Sequence, residues 1–398
     1  MATADSISGV TAPSARRSAG LLVLLSSMPP EQLVEIIAKL TVSFAPEDLI
    51  IAGSDAFEAD NYPALRIVPT AAINTSWMLT AADFVNAYQL AIKTGAQSIL
   101  MLGPEANTLG ASGLCDLAKA VLTGSTDLAV PRYDLPPHAR LITSAILYPL
   151  VRALFASRVR FPMALDVGLS LRMAECLAGA GHRFNTLNQG DAFLWPVSEA
   201  TVAGLTINQF GVGPRTLPHA TGSDFNTIFP KITGSLFADI DAKAAFWQRF
   251  RQLQPAHSFA PMQPAISTNS IAEIAPLLQA FQLAYKNLQE IWQLILPPSS
   301  LLGLKRLSAT DGAAFRMPER LWARIVFDFL LAHRLRTINR GHLLGALIPL
   351  YLAWVASHFN IIASGIDSES HIETVAAAFE ADKTYLVSRW RWPDRFNP

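Results

Sequence analysis

Short apolar runs alternate with longer stretches whose apolar residues recur at helical spacing along the first half of the chain. The pattern predicts strand Leu21–Leu25, a helix over about 31–44, strands at 49–52 and 65–68, helix Ala81–Thr94 and strand Ser98–Leu102. It continues with a helix at 112–122, a strand at 128–130, a helix at 141–156, a strand-like run at 163–165 and a helix at 171–178. A helix at 196–203, a strand at 206–210 and a Gly-Pro-rich loop over 211–223 close this half. Apolar strands separated by amphipathic helices imply a mostly parallel sheet covered on both faces, with ligands gathered beyond the carboxyl ends of its strands. Past a Pro-rich stretch at 254–264, which reads as a linker, helical periodicity dominates at 271–296, 320–335, 342–359 and 372–389. The expected organisation is a leader over 1–18, an α/β domain over 19–253 and a helical region over 265–398.

Composition adds exclusions. The chain has 398 residues, 51% of them hydrophobic, enough for a large core. Lys plus Arg equals Asp plus Glu at 31 each, so the overall charge favours neither nucleic acid nor an anionic surface. The two cysteines, Cys115 and Cys176, suggest neither a disulfide framework nor a thiolate zinc site, which fits a cytoplasmic location. The longest apolar stretch, 343–356, contains Pro349 and falls short of the roughly 20 residues a spanning helix needs, so no transmembrane segment is expected.

Several segments resemble the glucosyl-3-phosphoglycerate synthases and mannosylglycerate synthases. They are Arg140-Leu-Ile-Thr143, Tyr148-Pro-Leu150, Val159-Arg-Phe-Pro162, Asp166-Val-Gly-Leu-Ser170, Gly190-Asp191, the stretch 206–219, the helix from Phe225 to Phe237 with Trp247, and Leu347-Ile-Pro-Leu-Tyr351. The resemblance is diffuse and runs in order over about 20–390. It implies the GT-A fold of nucleotide-sugar glycosyltransferases, a mixed, mostly parallel sheet flanked by helices, with an added C-terminal helical region. It further implies a nucleotide-diphosphate sugar donor, a small and anionic, glycerate-like acceptor, and retention of configuration; a homo-oligomer is compatible with it.

That family holds Mg or Mn with an Asp-x-Asp pair after a strand, to stabilise the departing diphosphate. Here Gly103-Pro104-Glu105 stands in its place, leaving Glu105, with His219 at the position of a further ligand. Alternatively Glu105 caps a loop and His219 is an ordinary loop residue. The family's Gly-Lys-Gly loop is replaced by Asn74-Thr-Ser-Trp77, where Asn74 or Ser76 could bond a base or ribose, unless the stretch is only the approach to a helix cap at Thr80. Ser26, Ser27 and Asp55 are the other donor-binding candidates. Asp166 and Asp191 match acidic positions near the reacting centre, or else cap the helices that follow them. Arg132, Tyr133, Arg140 and Thr143 fall where the relatives bind an anionic acceptor, with Arg158, Arg160 and Arg215 adding charge nearby or lying solvated on the surface. Two other readings stay open: an inactive homologue kept for binding, and an enzyme that neutralises the diphosphate without metal, through Arg132 or Arg215. In the C-terminal part, Phe327, His333 and the 347–354 segment read as core, and Trp390-Arg-Trp392 as a segment packed onto the fold.

Overall fold

The structure, a computed structural model, describes residues 20–26, 28–53, 65–70, 78–185, 192–217, 225–249, 258–259, 274–310 and 312–393. Ser27, Asp55, Asn74, Asp191 and His219 lie outside these residues, as do the expected leader and most of the expected linker.

Among the described residues eight strands form one sheet: β1 (Leu21–Leu25), β2 (Leu49–Gly53), β3 (Arg66–Pro69), β4 (Ser98–Leu102), β5 (Leu128–Asp134), β6 (Val167–Ser170), β7 (Ile207–Pro214) and β8 (Ser258–Phe259). Their order is β3-β2-β1-β4-β6-β5-β7-β8, with β6 antiparallel to both neighbours and the other pairings parallel. This mixed, mostly parallel sheet, flanked by helices and followed by a helical region, is the arrangement expected from the sequence. Alternation along the strands sorts the apolar side chains into two cores. Leu21, Val23, Leu49, Ile51, Leu100 and Leu102 face α1 (Pro30–Thr41) and α3 (Ala111–Leu122). Leu22, Leu24, Ile50, Ile99 and Met101 face the other way, toward α2 (Ala81–Thr94), α4 (Tyr148–Phe155), α5 (Leu171–Asn185) and α6 (Pro196–Val202). The expected cap of α2 is present: the Asp83 carboxylate accepts from both the backbone N and the hydroxyl of Thr80, at 2.7 and 2.8 Å.

The second core runs on without a break into the C-terminal helices, so sheet and helices share one apolar interior. These are α7 (Phe225–Ala242), α8 (Ala244–Trp247), α9 (Ile274–Asn287), α10 (Gln289–Gln293), α11 (Pro298–Ser308), α12 (Glu319–Leu335), α13 (Arg340–Ala363), α14 (Ser368–Ala381) and α15 (Lys383–Arg391). Trp322 Nε1 on α12 donates to the Ala145 carbonyl at 2.8 Å. Arg152 pairs with Glu373 and Glu380, and Arg160 with Glu369, tying α14 to the α/β part. Trp390 packs edge-on against Trp247, ring centres 5.0 Å apart, as expected of a docked terminal segment, while Trp392 is exposed.

The structure corrects several expected elements. The strand near 163–165 is instead Val167–Ser170, because Gly168 lets the chain pass close to α3; a Cβ there would sit 2.7 Å from the Leu117 carbonyl oxygen. β7 runs to Pro214 rather than ending at 210, with Gly213 at φ +74° in the stretch expected to be loop. Ser258–Phe259, inside the expected linker, is an edge strand. The helix expected over 271–296 breaks at Leu288, and that over 372–389 breaks at Asp382. α13 has 24 residues, long and apolar enough by length and composition to cross a membrane, but 72% of its apolar window is buried inside this fold. Its apolar residues belong to the shared core.

His333, on α12, lies edge-on to Phe237 and is buried. Burial, reinforced by the Arg340 charge, holds its imidazole down at about 4. The unfolded chain takes up a proton near pH 6.5, which the folded chain refuses until about pH 4. Stability present above pH 6.5 is therefore lost as pH falls through that window. We expect His333→Phe to remove up to about 3 kcal/mol of this acid loss, read as a flatter dependence of the urea midpoint on pH between 6.5 and 4.

Candidate functional site

The carboxyl ends of β4, β5 and β7 converge on a buried ion pair. Asp166 enters β6, Arg215 leaves β7, and both side chains are fully buried. The Asp166 carboxylate accepts from Arg215 Nε at 3.0 Å and Nη2 at 3.2 Å, from the Tyr133 hydroxyl at 2.8 Å and from Gly103 N at 2.9 Å. Arg215 also donates to the carbonyls of Pro104 and Thr216, each at 2.7 Å, and to the Thr108 hydroxyl at 3.4 Å. These contacts use all five N–H groups a guanidinium offers. Burial, then the adjacent carboxylate, pushes the Tyr133 phenol well above its ordinary value and keeps it a neutral donor.

Three expected roles change as a result. Asp166 has no free lone pair facing a ligand and does not cap a helix; α5 starts at Leu171, where the Ser170 hydroxyl accepts from Met173 N at 3.1 Å. Arg215 is neither a solvated arginine nor free for a diphosphate. Tyr133 is spent on Asp166 rather than presented to an acceptor. Arg160 is likewise committed, to Glu369 and to the Ser144 hydroxyl. What the cluster does is clamp the segment after β4, since Gly103 N and the Pro104 carbonyl are both held by it.

Glu105 follows immediately, in the left-handed region at φ +58°, where a residue with a side chain is strained. Its carbonyl accepts from the Thr108 backbone N and hydroxyl, at 3.0 and 2.8 Å, and its side chain makes no cap bond. Among the described residues no group of three or more His, Cys, Asp or Glu could hold a metal ion. Glu105 alone does not make a divalent cation site. Ser26, expected near a donor, instead donates from its hydroxyl and its backbone N to the Leu102 carbonyl, at 3.0 and 3.1 Å, extending the β1–β4 pairing.

Beside the ion pair, beyond the ends of β5 and β7, lies a cavity of about 670 Å³. Arg140 and Thr143 line it, so two of the four acceptor candidates meet there; Arg132 does not line it. Arg140 has φ +53°, a second strained non-glycine residue. It is followed by a π-helical turn, Thr143–Leu147, a form that recurs at functional sites. Burial holds the Arg140 guanidinium below its ordinary value, and the Arg215 charge adds to this. Among the described residues, the Arg140 side chain has no carboxylate partner. The remaining walls are largely apolar, including Met78, Leu141, Met163, Ile228 and Ile232, with Tyr351 from α13 closing one side. Sequence patterning read the 347–354 segment, with Tyr351, as core, because helical spacing alone cannot separate a core-facing residue from one that faces a cavity.

No known protein family matches the chain, and no curated protein matches it. Among solved structures, glucosyl-3-phosphoglycerate synthase from Mycobacterium tuberculosis in complex with phosphoglyceric acid is 13% identical, over 57% of this chain and 80% of that one, with a TM-score of 0.33. The same enzyme with Mn2+, UDP-glucose and phosphoglyceric acid is 13% identical over the same shares, with a TM-score of 0.35. A further mycobacterial protein is 13% identical over 57% of this chain and 75% of its own, at 0.34. Overlap at this level assigns neither family nor activity.

Proposed function

We propose that the protein is a glycosyltransferase that moves a sugar from a nucleotide diphosphate to an anionic acceptor held at Arg140. The observation that supports this most is the cavity beyond the carboxyl ends of β5 and β7, where this class of sheet collects ligands, with an arginine in its wall that has no carboxylate partner among the described residues. In the reaction an acceptor oxygen bonds to the anomeric carbon as the bond to the diphosphate breaks. The diphosphate leaves with the bonding pair, and a hydroxyl acceptor gives up its proton. We assign the donor's base and ribose to Ser27, Asp55 and Asn74, and proton removal to Asp191. Glu105 with His219 would carry any dependence on Mg or Mn. Asp166 and Arg215 are positioning residues, fixing the segment after β4 rather than touching substrate.

A specific observation favours a second reading, an inactive homologue kept for binding. The clamp on Gly103 and Pro104 holds in place a segment that lacks the acidic pair. Calorimetric titration of UDP, GDP and their glucose and mannose derivatives, with and without Mg or Mn, separates the two. Metal-dependent binding supports the transferase with Glu105 and His219, and metal-free binding supports a transferase without a metal. Absence of binding by the folded protein makes the inactive homologue the conclusion. Where transfer is found, Arg140→Ala is expected to raise the acceptor KM about 10- to 100-fold while changing donor affinity little, through loss of a charge-assisted contact.

A further inference from the structure

The cavity beside Arg140 is larger and more apolar than a glycerate-like acceptor requires. A small polar anion would engage the guanidinium and leave Leu141, Met163, Ile228 and Ile232 facing water, which apolar surface disfavours. Its volume lies within the roughly 300–1,000 Å³ range of sites that enclose most of a drug-sized ligand. Among the polar groups in its wall, the Arg140 guanidinium and the hydroxyl of Tyr351, whose ring stacks on Phe225 and lies tilted against Phe229, have no partner among the described residues. Burial raises the Tyr351 phenol above its ordinary value, so it stays a neutral donor. Both groups donate and neither carries negative charge, so the polar wall suits an anion while the rest suits hydrocarbon.

We propose that this cavity binds a single-chain anionic amphiphile, a carboxylate or phosphate head at Arg140 with its alkyl or prenyl chain along the wall formed by α7 and the π-helical turn. That this amphiphile is the sugar acceptor rests on the transferase reading above. Its occupancy of the cavity does not.

The test is calorimetry on the full chain below the micellar concentration, with butyl, hexyl, octyl and decyl phosphates, decanoate, and decanol as the neutral control. UDP, GDP and their glucose and mannose derivatives, with and without Mg or Mn, are titrated in parallel. Affinity is expected to rise about fourfold for each added CH2 until the cavity is filled. Decyl phosphate or decanoate should bind at least about tenfold more tightly than decanol, a margin that Arg140→Gln removes. Whichever of the two binds more tightly identifies the head group. Ile228→Glu should abolish chain-length dependence; if it fails to fold, Ile228→Ala should weaken decyl phosphate about tenfold through lost wall contact while sparing butyl phosphate. Affinity independent of chain length would overturn the proposal, as would decanol equalling decyl phosphate with no effect of Arg140→Gln. Nucleotide binding without amphiphile binding rejects this inference and leaves the transferase reading standing. Amphiphile binding without nucleotide binding does the reverse.

Discussion

Asp166→Asn is expected to lower the unfolding free energy by about 3–5 kcal/mol, because it strips the buried Arg215 of its counter-charge and turns an amide N–H toward guanidinium N–H groups. The loss should appear as a large fall in urea midpoint with little change in slope. A double replacement, Asp166→Leu with Arg215→Met, removes both charges and should recover part of the loss, as buried pairs replaced by apolar groups of similar volume often do. The measurement also decides the role of the residue. An aspartate that contacted substrate would lose turnover with its fold intact. Asp166 should lose fold first, and any folded fraction should bind nucleotide with the segment after β4 loosened. If Asp166→Asn melts like the parent chain, the clamp is not holding that segment and a direct role returns.

Trp322→Ala should cost about 3–5 kcal/mol, the usual penalty for deleting a fully buried tryptophan. Trp322 packs near Trp354, ring centres 6.2 Å apart, and its indole N–H satisfies the Ala145 carbonyl inside the π-helical turn. That turn presents Thr143 and Leu147 to the cavity, so part of the damage should reach the ligand. Trp322→Phe keeps most of the packing but removes the indole donor from that carbonyl, at about 1–3 kcal/mol. Comparing decyl phosphate binding in the two variants, each at a temperature where it is folded, isolates the effect on the cavity wall. Equal affinities in both and in the parent would mean that the turn keeps its shape without the tryptophan.

The parallel core strands were legible because β1, β2 and β4 are buried on both faces and read as unbroken apolar runs. β6 was not, since Val-Gly-Leu-Ser has the composition of a turn and is a strand only through its fit against α3. The gathering of Arg140 and Thr143 at one cavity was anticipated in part, as neighbours along the chain. The partnership of Asp166 with Arg215 was not, because 49 residues separate them and nothing local distinguishes a buried arginine from a solvated one. Ser26 shows the same limit from the other side. A serine past the end of a strand is equally suited to a ligand and to one more carbonyl of the sheet, and here the Leu102 carbonyl takes it.

The continuity of apolar packing from Leu22 to Trp390 bears on how the chain is made. Synthesis from the amino end produces the sheet with α2 to α6 while the helices that pack against α4 and the π-helical turn are still to come. An apolar helical surface left bare in this way is prone to associate with other nascent chains. The first half therefore cannot behave as a finished unit on the ribosome, and its survival there depends on whatever shields that surface until α12 to α15 arrive. Expression of 19–253 alone should yield aggregate, and adding 265–398 as a separate chain during synthesis should rescue it only to the extent that the helices arrive before the exposed faces meet.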